Sequence, residues 1–294
     1  MGKKMLFIFN PRAGKGSIKT RLTDILDIFV KAGYDVHIHP TQAYRDGLKV
    51  AKKRAGEFDL VVTSGGDGTL DEIVTGIMEG GHSTPVGYIP AGSTNDFANS
   101  LGIPKDMTKS AAVAVGDHPF PCDIGDFNSD TFVYVAAFGL FTEVSYKTSQ
   151  QLKNIFGHVA YIMEGAKCLH DIPSYNMQVE YDGNVFQDEF IYGMVTNSIS
   201  VGGFKGMTGN DVKLDDGVFE VTMIKKPRNP IELNEILACL ANMIDDTDLI
   251  YSFKADQVRI TAKENVAWTL DGEFGGEHEE VLIQNLHQRV TIFC

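Results

Sequence analysis

Two differently built halves are what this sequence predicts: an α/β half on a parallel sheet, then a β-rich antiparallel half. Three observations carry that expectation. Over roughly the first 125 residues, short apolar runs of strand length alternate with stretches whose apolar residues recur at helical spacing. Glycine-rich loops follow directly on several of those runs. After about Asp123 strand-like segments dominate, punctuated by turn pairs such as Asp182-Gly183 and Asp216-Gly217.

In order, Met5–Phe9 is a buried-strand run and Asn10–Gly16 a glycine-containing loop. Ile18–Val30 carries Leu22, Ile25, Leu26, Ile28 and Phe29 at helical spacing, with Gly33 as a stop. Asp35–His39 is a second strand, Gly47–Ala55 a helix and Asp59–Thr63 a third strand. A helix over Leu70–Met78 ends at Gly80-Gly81, and a fourth strand, Val86–Ile89, is broken by Pro90 and Gly92. Such alternation implies parallel strands with helices on both faces. The second half offers strands at Thr131–Ala137, Tyr175–Tyr181, Glu189–Thr196, Gly217–Thr222, Gln257–Thr261 and Val266–Leu270. Helices are expected near Leu152–Leu169 and Ile231–Ile244.

The 294 residues, 43% of them hydrophobic, suffice for one large domain or two ordinary ones. A net charge of -13 argues against broad nucleic-acid binding and against a whole-protein electrostatic hold on anionic lipid. Cys122, Cys168, Cys239 and Cys294 form no C-x-x-C pair and are expected to be reduced thiols of a cytoplasmic protein. The opening Met1-Gly2-Lys3-Lys4 leads into a strand-length run with no cleavage site, so no signal peptide is expected. Leu6 stands where a myristoylation motif after Gly2 wants Ser or Thr. The longest apolar run, Phe132–Phe141, is far below spanning length and is expected to pack a core. The eight histidines, His158 and His170 among them, form no H-E-x-x-H set. The clusters Lys52-Lys53-Arg54 and Lys225-Lys226…Arg228 are expected on a solvated face, with membrane docking as the alternative. Oligomeric state, a homodimer included, is left open.

Three loops carry the chemistry. Ser64-Gly65-Gly66-Asp67-Gly68-Thr69 lies between a strand and a helix, where open α/β sheets bind ligands. Glycines let the backbone approach a phosphate, and the helix N-terminus favours its charge. Asp67 would repel phosphate alone but makes sense with Mg²⁺ between them. The alternative is a glycine-rich turn with Asp67 capping the helix. Asn10-Pro11-Arg12-Ala13-Gly14-Lys15-Gly16 occupies the same position after the first strand but lacks Walker spacing. Taken alone it fits a plain turn equally well. Pro90-Ala91-Gly92-Ser93-Thr94-Asn95-Asp96-Phe97-Ala98 follows the fourth strand, where Ser93 or Thr94 can cap a helix while offering a hydroxyl to phosphate.

Together, in this order and spacing, these loops resemble the diacylglycerol kinase catalytic-domain family, related to sphingosine and ceramide kinases. The likeness extends through Asp123-Ile124-Gly125, Lys213-Leu214-Asp215-Asp216-Gly217 and Leu270-Asp271-Gly272-Glu273, nearly the whole chain. Gly-Gly-Asp-Gly-Thr alone is shared with NAD kinases and phosphofructokinases; the Asn95-Asp96-Phe97 loop and the late Asp-Gly-Glu make the match specific. Asp71 departs from it, standing where many relatives have asparagine, and Ala91 and Ser93-Thr94 vary from the commonest family loop.

The resemblance implies an NAD kinase/diacylglycerol kinase-like fold. Its nucleotide-binding α/β domain would span residues 1–125, completed by about 280–294. Its sandwich-like, lipid-substrate domain would span 126–279, with ATP in the cleft. Glu280–Ile283 and Val290–Phe293 read as a hairpin bounded by Asn285 and Gln288. ATP would contact Asn10, Pro11, Arg12, Ala13, Gly14, Thr41, Gly65, Gly66, Asp67, Gly68, Thr69, Ser93 and Thr94. Asp67, Asp96 and Asp123 would shape a Mg²⁺–phosphate site. Glu273 would be the base, with Asp271 as its supporting partner or turn former; by its residues alone the segment fits a hairpin turn just as well. Asp216, with the Lys213 and Val218 carbonyls, would hold a structural Mg²⁺, where the residues alone favour a type I′ turn. The activity so implied is ATP-dependent phosphorylation of a diacylglycerol-like hydroxyl, met at the membrane surface by a cytoplasmic enzyme that is peripheral there. A NAD kinase-like enzyme and a non-catalytic nucleotide sensor are the alternatives.

Overall fold

A computed structural model describes residues 2–140, 172–201, 211–242 and 247–294. The helix expected near Leu152–Leu169, with Cys168, His158 and His170, lies outside the described residues. The chain divides into two compact units, Met1–Ile124 with His287–Cys294, and Gly125–Leu286.

The first unit contains β1 (Lys3–Phe9), α1 (Ile18–Lys31), β2 (Tyr34–Pro40), α2 (Asp46–Arg54), β3 (Leu60–Gly65) and α3 (Asp67–Glu79). It continues with β4 (Val86–Pro90), α4 (Asp96–Ser100), α5 (Met107–Ala114) and the start of β5 (Pro119–Phe127). β1 lies between β2 and β3, parallel to both, and β3 pairs in parallel with β4. β1, β3 and β4 are largely buried, largely apolar runs because both faces are covered, whereas β2, paired with β1 along one side, carries Asp35, His37 and His39 and stays partly exposed. Met5, Phe7, Leu60, Val62 and Ile89 form one core with Ile25 and Phe29 of α1.

The second unit holds β6 (Asp130–Phe132), β7 (Val135–Gly139), β8 (Tyr175–Tyr181), β9 (Asn184–Thr196), β10 (Phe219–Lys225), α6 (Pro230–Asn242), β11 (Ile250–Ala255), β12 (Gln257–Leu270) and most of β13 (Glu273–Phe293). Its pairings are antiparallel: β11–β10–β9–β7–β12, with β8 bonded to β9 and β12. Phe132, Phe138, Phe190, Phe219 and Trp268 are fully buried in its core, so the described part of the Phe132–Phe141 run packs inward.

Several elements differ from expectation. Thr131–Ala137, expected as one strand, is divided between β6 and β7, and Gln257–Thr261 and Val266–Leu270, expected as two, are one strand, β12. The elements α5, β5 and β11 have no counterpart among the expected ones. The helix after β3 begins at Asp67, not Leu70. Gly66 is extended, and the Thr69 and Leu70 amides already bond to its carbonyl at 3.0 and 3.2 Å, so Asp67 and Gly68 belong to the first helical turn. The Glu280–Phe293 segment is no hairpin. β13 runs on as one strand, pairing with β12 as far as Gln284 and with β4 at Ile292 and Phe293. The residues expected to turn find other partners: the Asn285 amide donates to the Asp256 carbonyl at 2.7 Å, and Gln288, with φ +50°, donates its amide to Asp123 at 2.7 Å.

The basic clusters are partnered. Lys225 and Lys226 pair with Asp188 at 3.1 Å and Glu189 at 3.0 Å, and Lys52 and Arg54 with Glu79 at 2.8 Å and Glu57 at 3.3 Å. Each cluster keeps one exposed cation outside these pairs, Lys53 and Arg228. Among the described residues no helix is long and apolar enough to cross a membrane.

Candidate active site

In the first unit the strand registers set Pro40, Phe9, Ser64 and Ile89 side by side. The loops after β2, β1, β3 and β4 therefore leave the same sheet edge, the carboxyl ends of the strands. The loops also pack on one another. A Cβ at Gly14 would stand 2.2 Å from the Ala91 carbonyl oxygen, and one at Gly92 would stand 2.7 Å from the Gly66 Cα. Backbone thus meets backbone where any side chain would intervene, as close approach to a phosphate requires. Asn95, left-handed at φ +53°, closes the β4 loop: its side chain accepts the Gly92 amide at 2.8 Å and donates to the Gly92 carbonyl at 3.0 Å. That brace was absent from the expected contact residues, although the Gly92–Asn95 spacing could have suggested it.

This packing brings Asp67 and Asp96 together. Both are buried, and the Asp96 amide donates to Asp67 Oδ2 at 3.1 Å. Asp67 Oδ1 is buried without a hydrogen-bond partner. Its carboxyl is pushed up to about 6, first by burial and then by the Asp96 charge, against the opposing pull of the Asp96 and Phe97 amides and the Thr94 hydroxyl. Behind it, the Tyr88 hydroxyl donates to the Gly65 carbonyl at 3.2 Å, and burial, then the Asp67 charge, drives that phenol upward. Two buried carboxylates, one with an unused oxygen, suit a hard divalent cation completed by oxygens from outside the protein. Among the described residues no three His, Cys, Asp or Glu side chains form a metal cage, so such completion is needed.

Asp123 is fully buried on β5, and the contact that defines its place is the Gln288 amide on its Oδ1. Thr41 directly follows β2, its amide bonded to the Phe9 carbonyl at 2.9 Å. Arg12 and Ser93 are exposed, while Asn10, Pro11, Ala13 and Thr94 are half-buried.

In the second unit, Asp271 and Gly272 form the two-residue turn between β12 and β13, with φ of +50° and +86°, and Leu270 faces Glu273 across it. Asp271 is buried. Its carboxylate accepts the amides of Val133 at 2.6 Å, Tyr134 at 3.0 Å and Val135 at 2.9 Å, and its own amide donates to the Val135 carbonyl at 2.8 Å. It therefore anchors the turn, while Glu273, two residues on, is exposed to solvent. At the Lys213–Val218 loop, Asp216 Oδ1 accepts a long bond from the Val218 amide at 3.4 Å, and Oδ2 lies 3.8 Å from the Lys254 ammonium. That ammonium is held closer by Glu220 and the Asp211 carbonyl, both at 2.9 Å. Asp216 thus keeps oxygen lone pairs for a further cation, beside a lysine that draws on the same negative charge.

Comparison with known proteins matches residues 4–127 to the diacylglycerol kinase catalytic domain. Residues 135–292 match the YegS C-terminal NAD kinase beta sandwich-like domain. A diacylglycerol kinase of Bacillus subtilis (strain 168) is 37% identical over 93% of this chain and 91% of its own length. One from Staphylococcus carnosus (strain TM300) is 36% identical over 100% and 95%. A crystal structure of a diacylglycerol kinase from Bacillus anthracis str. Sterne aligns with a TM-score of 0.76 at 25% identity, over 99% of this chain and 97% of the other. A further structure from that organism reaches a TM-score of 0.84 at 26% identity. With two successive family matches and relatives aligned along its length, this chain belongs to the diacylglycerol kinase catalytic-domain family.

Proposed function

We propose that this protein transfers the γ-phosphoryl group of ATP to a hydroxyl of diacylglycerol or a similar lipid. The observation that carries the proposal is the buried Asp67–Asp96 pair with its unpartnered oxygen, set among loops packed backbone to backbone. Asn10–Gly14, Gly65–Thr69 and Ser93–Thr94 hold the triphosphate through backbone amides and hydroxyls, and Thr41 contacts the nucleotide. Asp67 and Asp96 would hold Mg²⁺, which would supply charge neutralisation on the transferring group. Asp123 fixes the backbone around Gln288, and so supports that site.

The hydroxyl oxygen bonds to Pγ as the Pγ–O bond to the β-phosphate breaks; Glu273 takes the hydroxyl proton, and ADP leaves. Asp271 holds the turn from which Glu273 acts. Asp216, with the Lys213 and Val218 carbonyls, would hold a structural Mg²⁺, which would steady its loop. The lipid is met at the cytoplasmic membrane surface.

The test is incubation with γ-labelled ATP and Mg²⁺, offering detergent-dispersed diacylglycerol and NAD as alternative acceptors. Label in the lipid product is expected. Label in NAD and none in lipid would overturn the proposal.

A further inference from the structure

Along the shared edge of the first unit's sheet, the Asp67–Asp96 pair belongs to the β3 and β4 loops, and the β2 loop lies at the opposite end. Three strand spacings of about 4.8 Å separate β4 from β2, roughly 14 Å. That is comparable to an extended nucleoside triphosphate, from terminal phosphate to base. Among its exposed residues, Gln42, Ala43, Tyr44 and Arg45, the β2 loop presents one aromatic ring, Tyr44, which is 71% exposed.

Isolated exposed aromatics are ordinary. What sets Tyr44 apart is the pinning of its loop on both sides. Before it, Asp46 Oδ2 accepts the Gln42 amide at 2.8 Å and lies 3.1 Å from the His39 ring nitrogen, and the Gln42 side chain donates to the Pro40 carbonyl at 2.9 Å. After it, Arg45 is held left-handed at φ +56°, its amide donating to Glu72 Oε1 at 2.9 Å. A non-glycine residue in that conformation needs surroundings that enforce it. Glu72 lies on α3, the helix whose first residue is Asp67. One helix therefore carries the acidic end of the row and fastens the loop at the other.

We infer that Tyr44 stacks on the base of the bound nucleotide, with the terminal phosphate toward Asp67 and Asp96, and that Glu72 and Asp46 are positioning residues for it. This rests on the nucleotide-binding reading above. With the backbone on both sides already pinned, the loop loses little freedom when the ring stacks, so the contact appears as affinity.

The test is calorimetric titration of the full chain with ATP and, separately, with inorganic tripolyphosphate, which has no base, both with Mg²⁺. Tyr44→Ala should weaken ATP about tenfold, the scale of one base–aromatic stack, and leave tripolyphosphate unchanged. Tyr44→Phe should bind ATP as the parent does. Glu72→Ala should weaken ATP several-fold, again without affecting tripolyphosphate. Undiminished ATP affinity in Tyr44→Ala would overturn the inference, as would equal loss of both ligands. If the parent chain bound neither ligand, the nucleotide reading would fall as well.

Discussion

Two buried carboxylates, one in each unit, are provisioned in opposite ways. Asp271 accepts three backbone amides within 3.0 Å, whereas Asp67 has the Asp96 amide on Oδ2, the Phe97 amide and Thr94 hydroxyl drawing on its charge, no hydrogen-bond partner on Oδ1 and a second carboxylate beside it. A carboxylate whose lone pairs are filled by amides is part of the framework. One buried beside a like charge with an oxygen unused is costly to the fold and is retained where a ligand completes it. On this difference we assign Asp271 to the framework and Asp67 to the proposed site.

The largest expected effect concerns the residue that Asp271 supports. Glu273→Gln keeps the shape of the side chain but removes the proton acceptor, and turnover should fall by about 10²–10⁴. ATP affinity should be unchanged in calorimetry, because the loops proposed to hold the triphosphate belong to the other unit. Near-normal lipid phosphorylation by folded Glu273→Gln would remove it as the base.

Asp271→Ala should act on stability first. It strands the Val133, Tyr134 and Val135 amides, each buried donor costing roughly 1–3 kcal/mol. Chemical denaturation should show a loss of several kcal/mol. A loss below about 1 kcal/mol would mean that the turn is held by other contacts.

Asp67 should behave in the reverse sense. Its folded pKa of about 6 lies above the ordinary 3.8, so the fold favours the protonated form. Below about pH 4 both folded and unfolded chains are protonated and nothing is lost. As pH rises through 4 to 6 the unfolded chain ionises first, and stability falls by on the order of 3 kcal/mol by neutral pH without a cation. Asp67→Asn should therefore melt higher than the parent at pH 7.5 in EDTA, and the gain should vanish near pH 4. A lower melting temperature at pH 7.5 would show that the carboxylate is satisfied as it stands.

The smallest effect is expected at Asp216, which shares its loop's charge with Lys254. If Mg²⁺ steadies that loop, the parent's melting temperature should drop a few degrees in EDTA without nucleotide, and Asp216→Ala should abolish the drop. No difference between Mg²⁺ and EDTA in the parent would reduce the loop to a turn.

Much of this arrangement could be read from residue patterns. The apolar runs at Met5–Phe9, Asp59–Thr63 and Val86–Ile89 locate β1, β3 and β4 within one or two residues, because buried parallel strands are apolar on both faces. The Leu270-Asp271-Gly272-Glu273 turn was legible from its Asp-Gly pair. The long β13 was not: Asn285 and Gln288 look like turn residues, and their amides are taken up by partners distant in sequence, Asp256 and Asp123. Likewise, local sequence names Asp67 and Asp96 but cannot say that one donates its amide to the other, which depends on how the β3 and β4 loops pack. The three amides on Asp271 come from 136 to 138 residues away and leave no local trace.

The most direct measurement is the Mg²⁺ dependence of ATP binding, by calorimetry, in the parent chain and in Asp67→Asn. If the unpartnered Asp67 oxygen takes a cation shared with the triphosphate, Mg²⁺ should tighten ATP binding at least tenfold in the parent and leave Asp67→Asn almost unaffected. An equal Mg²⁺ enhancement in both proteins would contradict the assignment of that carboxylate to the site.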